Sequence, residues 1–309
     1  MARTSFPHPI LRFSVISGAL FLMLFLLPES SFVPLTRVTA ALSGWCIGLF
    51  GMQAAAAGDM ITLNGFRVRI ITECTALYPV AVFAAFVLAW PAPWRKRLAG
   101  LLAGGAVLTA ANLVRIAVVA VVGAAYPRFF EAFHVYLGQV AMLLLVMGLA
   151  KVWLRWVSCS PESGEGFLLR SAVLASLLFP VWLVANTHYV RMLDRLVQGL
   201  FSWEGYSLVM EYRHAVYFQT FNVVLLAALL LAEQKLEARR KLVWIAAGAA
   251  ILAAGHVLFR VGNVLLVAFG WRSALVVTSV LVIVGEYLLP VLVWLAASSG
   301  CPEKRPKVH

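Results

Sequence analysis

Three side chains that could together break a peptide bond occur in order along the first half of the sequence: Cys74, Arg115 and His134. A cysteine thiolate is a strong nucleophile, and a nearby cation or imidazole lowers the pKa of the thiol. A histidine can carry protons at neutral pH, and a guanidinium can stabilise an oxyanion. If the fold brings these three side chains together, they form a thiol active site.

The composition places these residues in a membrane protein. Hydrophobic residues make up 62% of the chain and charged residues only 12%, whereas a soluble domain carries about 25% charged residues. Long apolar runs predict an all-α polytopic protein with about eight transmembrane helices, each of about 20 residues. We expect these helices near residues 10–27, 75–91, 97–123, 133–156, 167–187, 214–233, 241–269 and 273–298.

The basic residues orient these helices. The net charge is +12, but the Lys and Arg residues sit in short clusters between apolar runs and form no continuous surface for nucleic acid. With about eight helices, all clusters fall on one side of the membrane, which the positive-inside rule makes cytoplasmic. Both termini are then cytoplasmic, and the run at residues 15–27 is predicted to be an uncleaved first helix.

The depth of the three candidate residues is the first sign that they converge. Arg115, Cys74 and His134 each lie 16 to 18 residues from the cytoplasmic end of their helices, which corresponds to about 24–27 Å. This level is the outer edge of a hydrocarbon core about 30 Å thick. The sequence therefore predicts that all three meet near the outer face.

An extramembrane element is expected just before Cys74. Residues 60–70 alternate in polarity around the pair Asn64-Gly65, which predicts a small extracytoplasmic β-hairpin. Residues 35–57 are apolar enough for another helix, but a span there would move the later basic clusters outside. We therefore expect this stretch to be re-entrant or to lie at the outer surface.

A polar break divides the chain. It predicts a membrane domain at 1–157, a linker at 158–166 and a second module of four helices at 167–309. Arg260 follows a basic helix start much as Arg115 does, so the second module could be a degenerate repeat. Counting back from Arg260 by the Cys74–Arg115 separation reaches Gln219, so such a repeat lacks the thiol.

Four short motifs follow one another along the first half: residues 73–77 (Glu-Cys-Thr-Ala-Leu), 91–95 (Pro-Ala-Pro-Trp-Arg), 112–116 (Asn-Leu-Val-Arg-Ile) and 133–134 (Phe-His). Together they resemble the exosortase/archaeosortase family. The resemblance covers about residues 10–156 and is greatest to the exosortase H branch. One departure is Ala76, where the family often has glycine and where a methyl group could crowd Cys74.

The resemblance implies a function. Such proteins are thought to be cysteine transpeptidases of the bacterial inner membrane that process proteins ending in a short motif, a transmembrane helix and a basic tail. Cys74 matches the nucleophile, Arg115 the motif arginine and His134 the histidine, in a site that faces the periplasm. Besides these protein substrates, membrane lipids are expected partners. No cofactor or metal is implied, and the acceptor is unknown.

Other polar residues are weaker candidates. Asn112, one turn before Arg115, is expected to orient it, and Glu73 is expected to pair with Arg115 or His134. A set in the second module's outer loop could contact the substrate: His188, Glu204, Glu211, Arg213 and His214. The intramembrane candidates there are His256, Asn263 and an expected Arg260–Glu286 pair. Cys46, Cys159 and Cys301 are predicted bystanders, although a Cys46–Cys74 disulfide would disarm the site.

Two other functions fit the same pattern. A transporter would carry intramembrane charges and repeats, with its polar groups near the midplane rather than the outer edge. A non-catalytic scaffold that docks a partner's transmembrane helix would tolerate loss of Cys74.

Overall fold

A computed structural model describes residues 9–158, 165–210, 219–234, 236–283, 285 and 288–299. These described residues are mostly helical, as the composition predicts. The chain forms two compact units, Met1–Ser163 and Gly164–His309.

The first unit contains six helices and three strands among its described residues. The helices are α1 (Pro9–Leu26), α2 (Val33–Leu49), α3 (Leu77–Ala89), α4 (Trp94–Ala125), α5 (Phe130–Val135) and α6 (Met142–Ser158). The strands are β1 (Ala54–Ala57), β2 (Met60–Leu63) and β3 (Phe66–Arg69). Single 3₁₀ turns cover Glu29–Phe32, Thr72–Cys74 and Pro127–Phe129, and a π-helical segment, Tyr136–Ala141, joins α5 to α6. The helix expected at 133–156 is therefore a composite of α5, the π-helical segment and α6.

Small residues let the helices of the first unit approach each other. The α3 and α4 helices meet where the Phe83 ring lies over Gly104, and α6 meets α4 where Trp153 lies over Gly100. The α1 helix runs antiparallel to α3, with ring pairs Phe13–Phe86 at 6.5 Å and Phe21–Tyr78 at 6.1 Å. Lipid tails are as apolar as the helix surfaces, so the hydrophobic effect contributes little to helix association in a membrane. Close van der Waals packing of this kind is therefore a main source of it.

The strands form one antiparallel sheet in the order β1-β2-β3. Asn64 (φ 49°) and Gly65 (φ 81°) join β2 to β3, and positive φ at both central residues defines the tight turn that suits hairpins. Ile61 and Leu63 of β2 are buried in one cluster with Cys74, α2 and α4. The sheet therefore holds the turn that carries Cys74. The sequence pattern missed β1, which is four alanines.

Four described helical segments are long and apolar enough to cross a membrane: Glu29–Leu49, Trp94–Ala125, Gly166–Trp203 and Ala238–Val267. Four shorter apolar helices accompany them: Leu11–Leu26, Leu77–Ala89, Asn222–Ala232 and Leu289–Ser298. The stretch expected to be re-entrant or superficial, residues 35–57, thus includes most of a helix with the length and composition of a span.

The second unit contains five described helices. They are α7 (Glu165–Trp203), α8 (Asn222–Ala232), α9 (Ala238–Val267), α10 (Ser273–Ile283) and α11 (Leu289–Ser299). The predicted end of the helix at 167–187 was wrong, because α7 continues to Trp203. Polar residues after 187 are accommodated because two of them, Tyr189 and Asp194, bond to side chains of α9.

Gly104 and Gly105 provide a matched test of this packing. Replacing Gly104 with Ala forces a methyl group into the Phe83 ring, and we expect a loss of stability of about 1–3 kcal/mol from overpacking. Gly105→Ala meets nothing within 4 Å and should be neutral or stabilising by up to about 1 kcal/mol. Unfolding of the purified protein in detergent, followed by circular dichroism, measures both. Equal effects of the two substitutions would contradict the packing.

Candidate functional site

A short turn fixes Cys74 immediately before α3. The Cys74 amide N–H donates to the Ile71 carbonyl at 2.9 Å, and the Thr75 hydroxyl donates to the Thr72 carbonyl at 2.7 Å. The Leu77 N–H, at the start of α3, donates to the Thr75 hydroxyl at 3.3 Å. These bonds satisfy backbone groups that would otherwise be unpaired at a helix start. The turn therefore holds Cys74 in one position.

Two side chains of α4 bind the main chain of Cys74. Asn112 Nδ2 donates to the Cys74 carbonyl oxygen at 2.9 Å, and an Arg115 Nη donates to the same oxygen at 3.1 Å. Residues three apart lie on one face of a helix, so Asn112 and Arg115 reach the turn together. The structure thus brings Cys74 and Arg115 together, with Asn112 beside them. Asn112 contacts Cys74 itself, whereas it was expected only to orient Arg115.

The thiol of Cys74 lies in an apolar environment. Its residue is only 8% exposed and packs among Ile47, Ile61 and Ile116. Burial raises the pKa of the Cys74 thiol, and a backbone hydrogen bond at Ile71 and the charge of Arg115 lower it without cancelling that effect. The thiol is therefore protonated at neutral pH, so it becomes a strong nucleophile only when a base removes its proton.

A row of aromatic rings positions His134. Its imidazole stacks on Phe130, with ring centroids 5.6 Å apart and planes at 12°. Phe130 in turn meets Phe66 of β3 edge to face at 5.2 Å. Gly123 of α4 accommodates both phenylalanine rings, because a methyl group there would collide with them. The sheet and α4 together therefore determine where His134 lies.

The π-helical segment brings α5 close to Arg115. A Cβ atom at Gly138 would lie 3.3 Å from Arg115 Nη1, so the absence of a side chain there leaves room for the guanidinium. The charge of Arg115 acts on both the Cys74 thiol and the His134 imidazole. Arg115 is thus the common neighbour of the other two candidates.

The neighbours of Cys74 in the sequence differ in their surroundings. Glu73 is exposed and forms no ion pair with Arg115 or His134 among the described residues, because successive side chains of a 3₁₀ turn point about 120° apart. Ala76 has φ −74°, which any residue adopts, so the backbone does not require glycine there. Cys46 and Cys74 are both free thiols.

Two intramembrane candidates of the second unit bind side chains of α7. Arg260 Nε donates to Asp194 Oδ1 at 2.8 Å, and Tyr189 and His256 share a hydrogen bond of 2.9 Å. The expected partner Glu286 lies outside the described residues. The sequence pattern did not predict the roles of Asp194 and Tyr189, because the expected helix ended near residue 187 and α7 continues to Trp203. The Asn263 side chain is half-buried.

The remaining weaker candidates do not gather in a described site. His188 is exposed on α7, and Glu204 is exposed just after it. Among the described residues, no group of three or more His, Cys, Asp or Glu side chains could hold a metal ion. Several predicted residues lie outside the described part of the chain: Cys159, Glu211, Arg213, His214 and Cys301.

These features define a membrane-embedded protein with a buried cysteine held by an arginine and an asparagine. Residues 10–152 match the family of transmembrane exosortases (Exosortase_EpsH). The match covers most of the first unit and a little under half of the chain, so it is the first unit that is similar to this family. The match indicates a membrane-embedded, sortase-like transpeptidase. Neither a curated protein nor a solved structure matched the chain.

The raised pKa of Cys74 predicts the pH dependence of its alkylation. In a variant that keeps Cys74 as its only cysteine, the midpoint of the iodoacetamide rate profile should lie above the pH of about 8.5 at which an ordinary thiol is half ionised. Arg115→Gln removes a charge that favours the thiolate and should move the midpoint to still higher pH. Mass spectrometry of the alkylated peptide measures both profiles, with glutathione as the reference. A midpoint below that of glutathione would contradict the buried, protonated thiol.

Proposed function

We propose that the first unit is a cysteine transpeptidase that cleaves the C-terminal sorting signals of exported proteins at the outer face of the inner membrane. One observation carries the proposal: Asn112 and Arg115 both bind the carbonyl of Cys74, within the residues that match the exosortase family. This arrangement holds a thiol and a permanent cation side by side in an apolar environment. Electrostatic stabilisation of a developing oxyanion is strongest in such surroundings.

In the proposed reaction, His134 removes the proton of the Cys74 thiol as the sulfur attacks the scissile carbonyl carbon. The carbonyl π electrons move to oxygen, and Arg115 stabilises the resulting oxyanion. A guanidinium has five N–H donors, so Arg115 can bind the Cys74 carbonyl and the oxyanion together. The tetrahedral intermediate then collapses, the C–N bond breaks, and His134 protonates the leaving amine. A thioester on Cys74 remains, and an acceptor amine or water resolves it.

The proposed topology follows from the charges. In a chain with about eight spans, the basic loops face the cytoplasm, both termini are cytoplasmic, and the sheet and Cys74 face the periplasm. The substrate's single helix enters between the helices of the first unit, with its basic tail on the cytoplasmic side. Membrane lipids surround the first unit and the bound substrate helix. In this arrangement the motif before the substrate helix reaches the depth of Cys74.

We also propose that residues 1–157 and 167–309 are two modules and that the second is a degenerate repeat of the first. Cys74 lies three residues before α3, and Gln219 lies three residues before α8. The separation from Cys74 to Arg115 equals that from Gln219 to Arg260. In both units a long helix, α4 or α9, follows at once.

Two further likenesses support the repeat. The π-helical segment after α5 has a counterpart in the π-helical residues 285 and 288 after α10. The start of α7 packs antiparallel against α8, with Arg170 bonded to the Ala232 carbonyl, as α1 packs against α3. The second module lacks the thiol, and Asp194 neutralises its arginine. Its proposed role is therefore non-catalytic. An experimental structure in which the helices of residues 222–299 do not pack in the arrangement of the corresponding helices of the first unit would refute the repeat.

The proposed function predicts the outcome of three substitutions. Cys74→Ala should abolish processing of a tagged sorting-signal protein coexpressed with the enzyme. Arg115→Ala and His134→Ala should each reduce it by about a hundredfold or more. Immunoblotting of the precursor and the processed product measures the effect.

Cys46→Ala is the matched control, because Cys46 packs against the same apolar cluster as Cys74. It should process the substrate like wild type. Normal processing by Cys74→Ala would refute the transpeptidase and leave the transporter and the non-catalytic scaffold as the alternatives.

A further inference from the structure

The side chain of Asn112 uses only one of its two ends within the described residues. Asn112 is 1% exposed, and its Nδ2 donates to the Cys74 carbonyl at 2.9 Å. A carbonyl oxygen can only accept a hydrogen bond, so this contact fixes which end of the amide faces Cys74. The other end, Oδ1, is buried and has no hydrogen-bond partner in the described part of the chain.

An acceptor of this kind requires an explanation. Almost all buried polar atoms in native proteins have a partner, and inside a membrane no bulk water can replace one. Buried hydroxyls such as those of Ser17 and Ser43 also lack a partner, but no hydrogen bond joins either of them to Cys74. Asn112 Oδ1 is the unpaired atom whose own side chain binds Cys74.

A peptide substrate offers the complementary group. Beside its scissile carbonyl, an extended polypeptide presents main-chain N–H donors, and each of them loses its water when the peptide enters an apolar site. Arg115 donates, and Asn112 Oδ1 accepts, from side chains one helical turn apart that meet at the same Cys74 carbonyl. Together they match a peptide unit that offers one carbonyl and one N–H.

We propose that Asn112 Oδ1 accepts a hydrogen bond from a main-chain N–H of the substrate close to the scissile bond. The inference rests on the proposed transpeptidase function and makes Asn112 the residue that sets the register of the substrate on Cys74. One consequence for specificity follows at once. The substrate residue that supplies this N–H cannot be proline, because proline has none.

A synthetic sorting-signal peptide tests the proposal with the purified full-length chain in liposomes. Each amide near the scissile bond, except the scissile bond itself, is replaced in turn by an ester, which removes one N–H without adding bulk. For the wild-type enzyme, one ester should lower kcat/KM by about tenfold to a hundredfold. For Asn112→Leu, which keeps the approximate shape and loses the acceptor, the same ester should cost nothing further.

Two results would overturn the inference. If no ester lowers kcat/KM for the wild-type enzyme, no substrate N–H is bound, and this holds even if Asn112→Leu does not fold. If an ester costs the same in wild type and in Asn112→Leu, its N–H binds elsewhere.

Failure of the proposed function is recognised separately, with the all-amide peptide. Cleavage that continues in Cys74→Ala refutes the transpeptidase. Cleavage that depends on Cys74 but is insensitive to every ester refutes only the role of Asn112.

Discussion

The carbonyl oxygen of Cys74 is the point on which the first unit depends. It accepts hydrogen bonds from Asn112 and Arg115 of α4, so one main-chain atom joins the turn before α3 to the long helix that follows. A half-buried arginine in an apolar region is costly unless its donors are satisfied, and the carbonyl satisfies one of them. The same contact brings a permanent cation to a thiol. The hydrogen bond that joins the turn to α4 is therefore also the one that places the cation of the proposed chemistry.

Packing elsewhere in the first unit holds this contact in place. Toward the start of α4, Gly104 and Gly100 allow Phe83 and Trp153 to pack closely. At Cys74 itself, the sheet buries Ile61 and Leu63 in the same cluster, and Phe66 of the sheet contacts Phe130, which stacks on His134. The cost of this enclosure is a thiol whose pKa is raised by burial. A base must therefore act at the moment of attack, because the thiolate is not present beforehand.

The sequence was sufficient for the parts of the structure that follow from periodicity and helix rise. It predicted a helical membrane protein, and the equal depth of Cys74 and Arg115 anticipated their contact. It was insufficient where a partner far along the chain decides the outcome. Asp194 extends α7 because Arg260, on another helix, binds its carboxylate, and the four alanines of β1 show no alternation. Glu73 faces outward because its turn is 3₁₀, which composition does not reveal.

The central claim is that Cys74 carries the substrate as a thioester. Its most direct test is peptide-mapping mass spectrometry of the full-length chain, acid-quenched during turnover of a sorting-signal peptide without an acceptor amine. The account predicts that Cys74 gains the mass of the substrate's N-terminal fragment, less water, and that neutral hydroxylamine removes it. Product formation with an unmodified Cys74, or with the fragment on another residue, would contradict it.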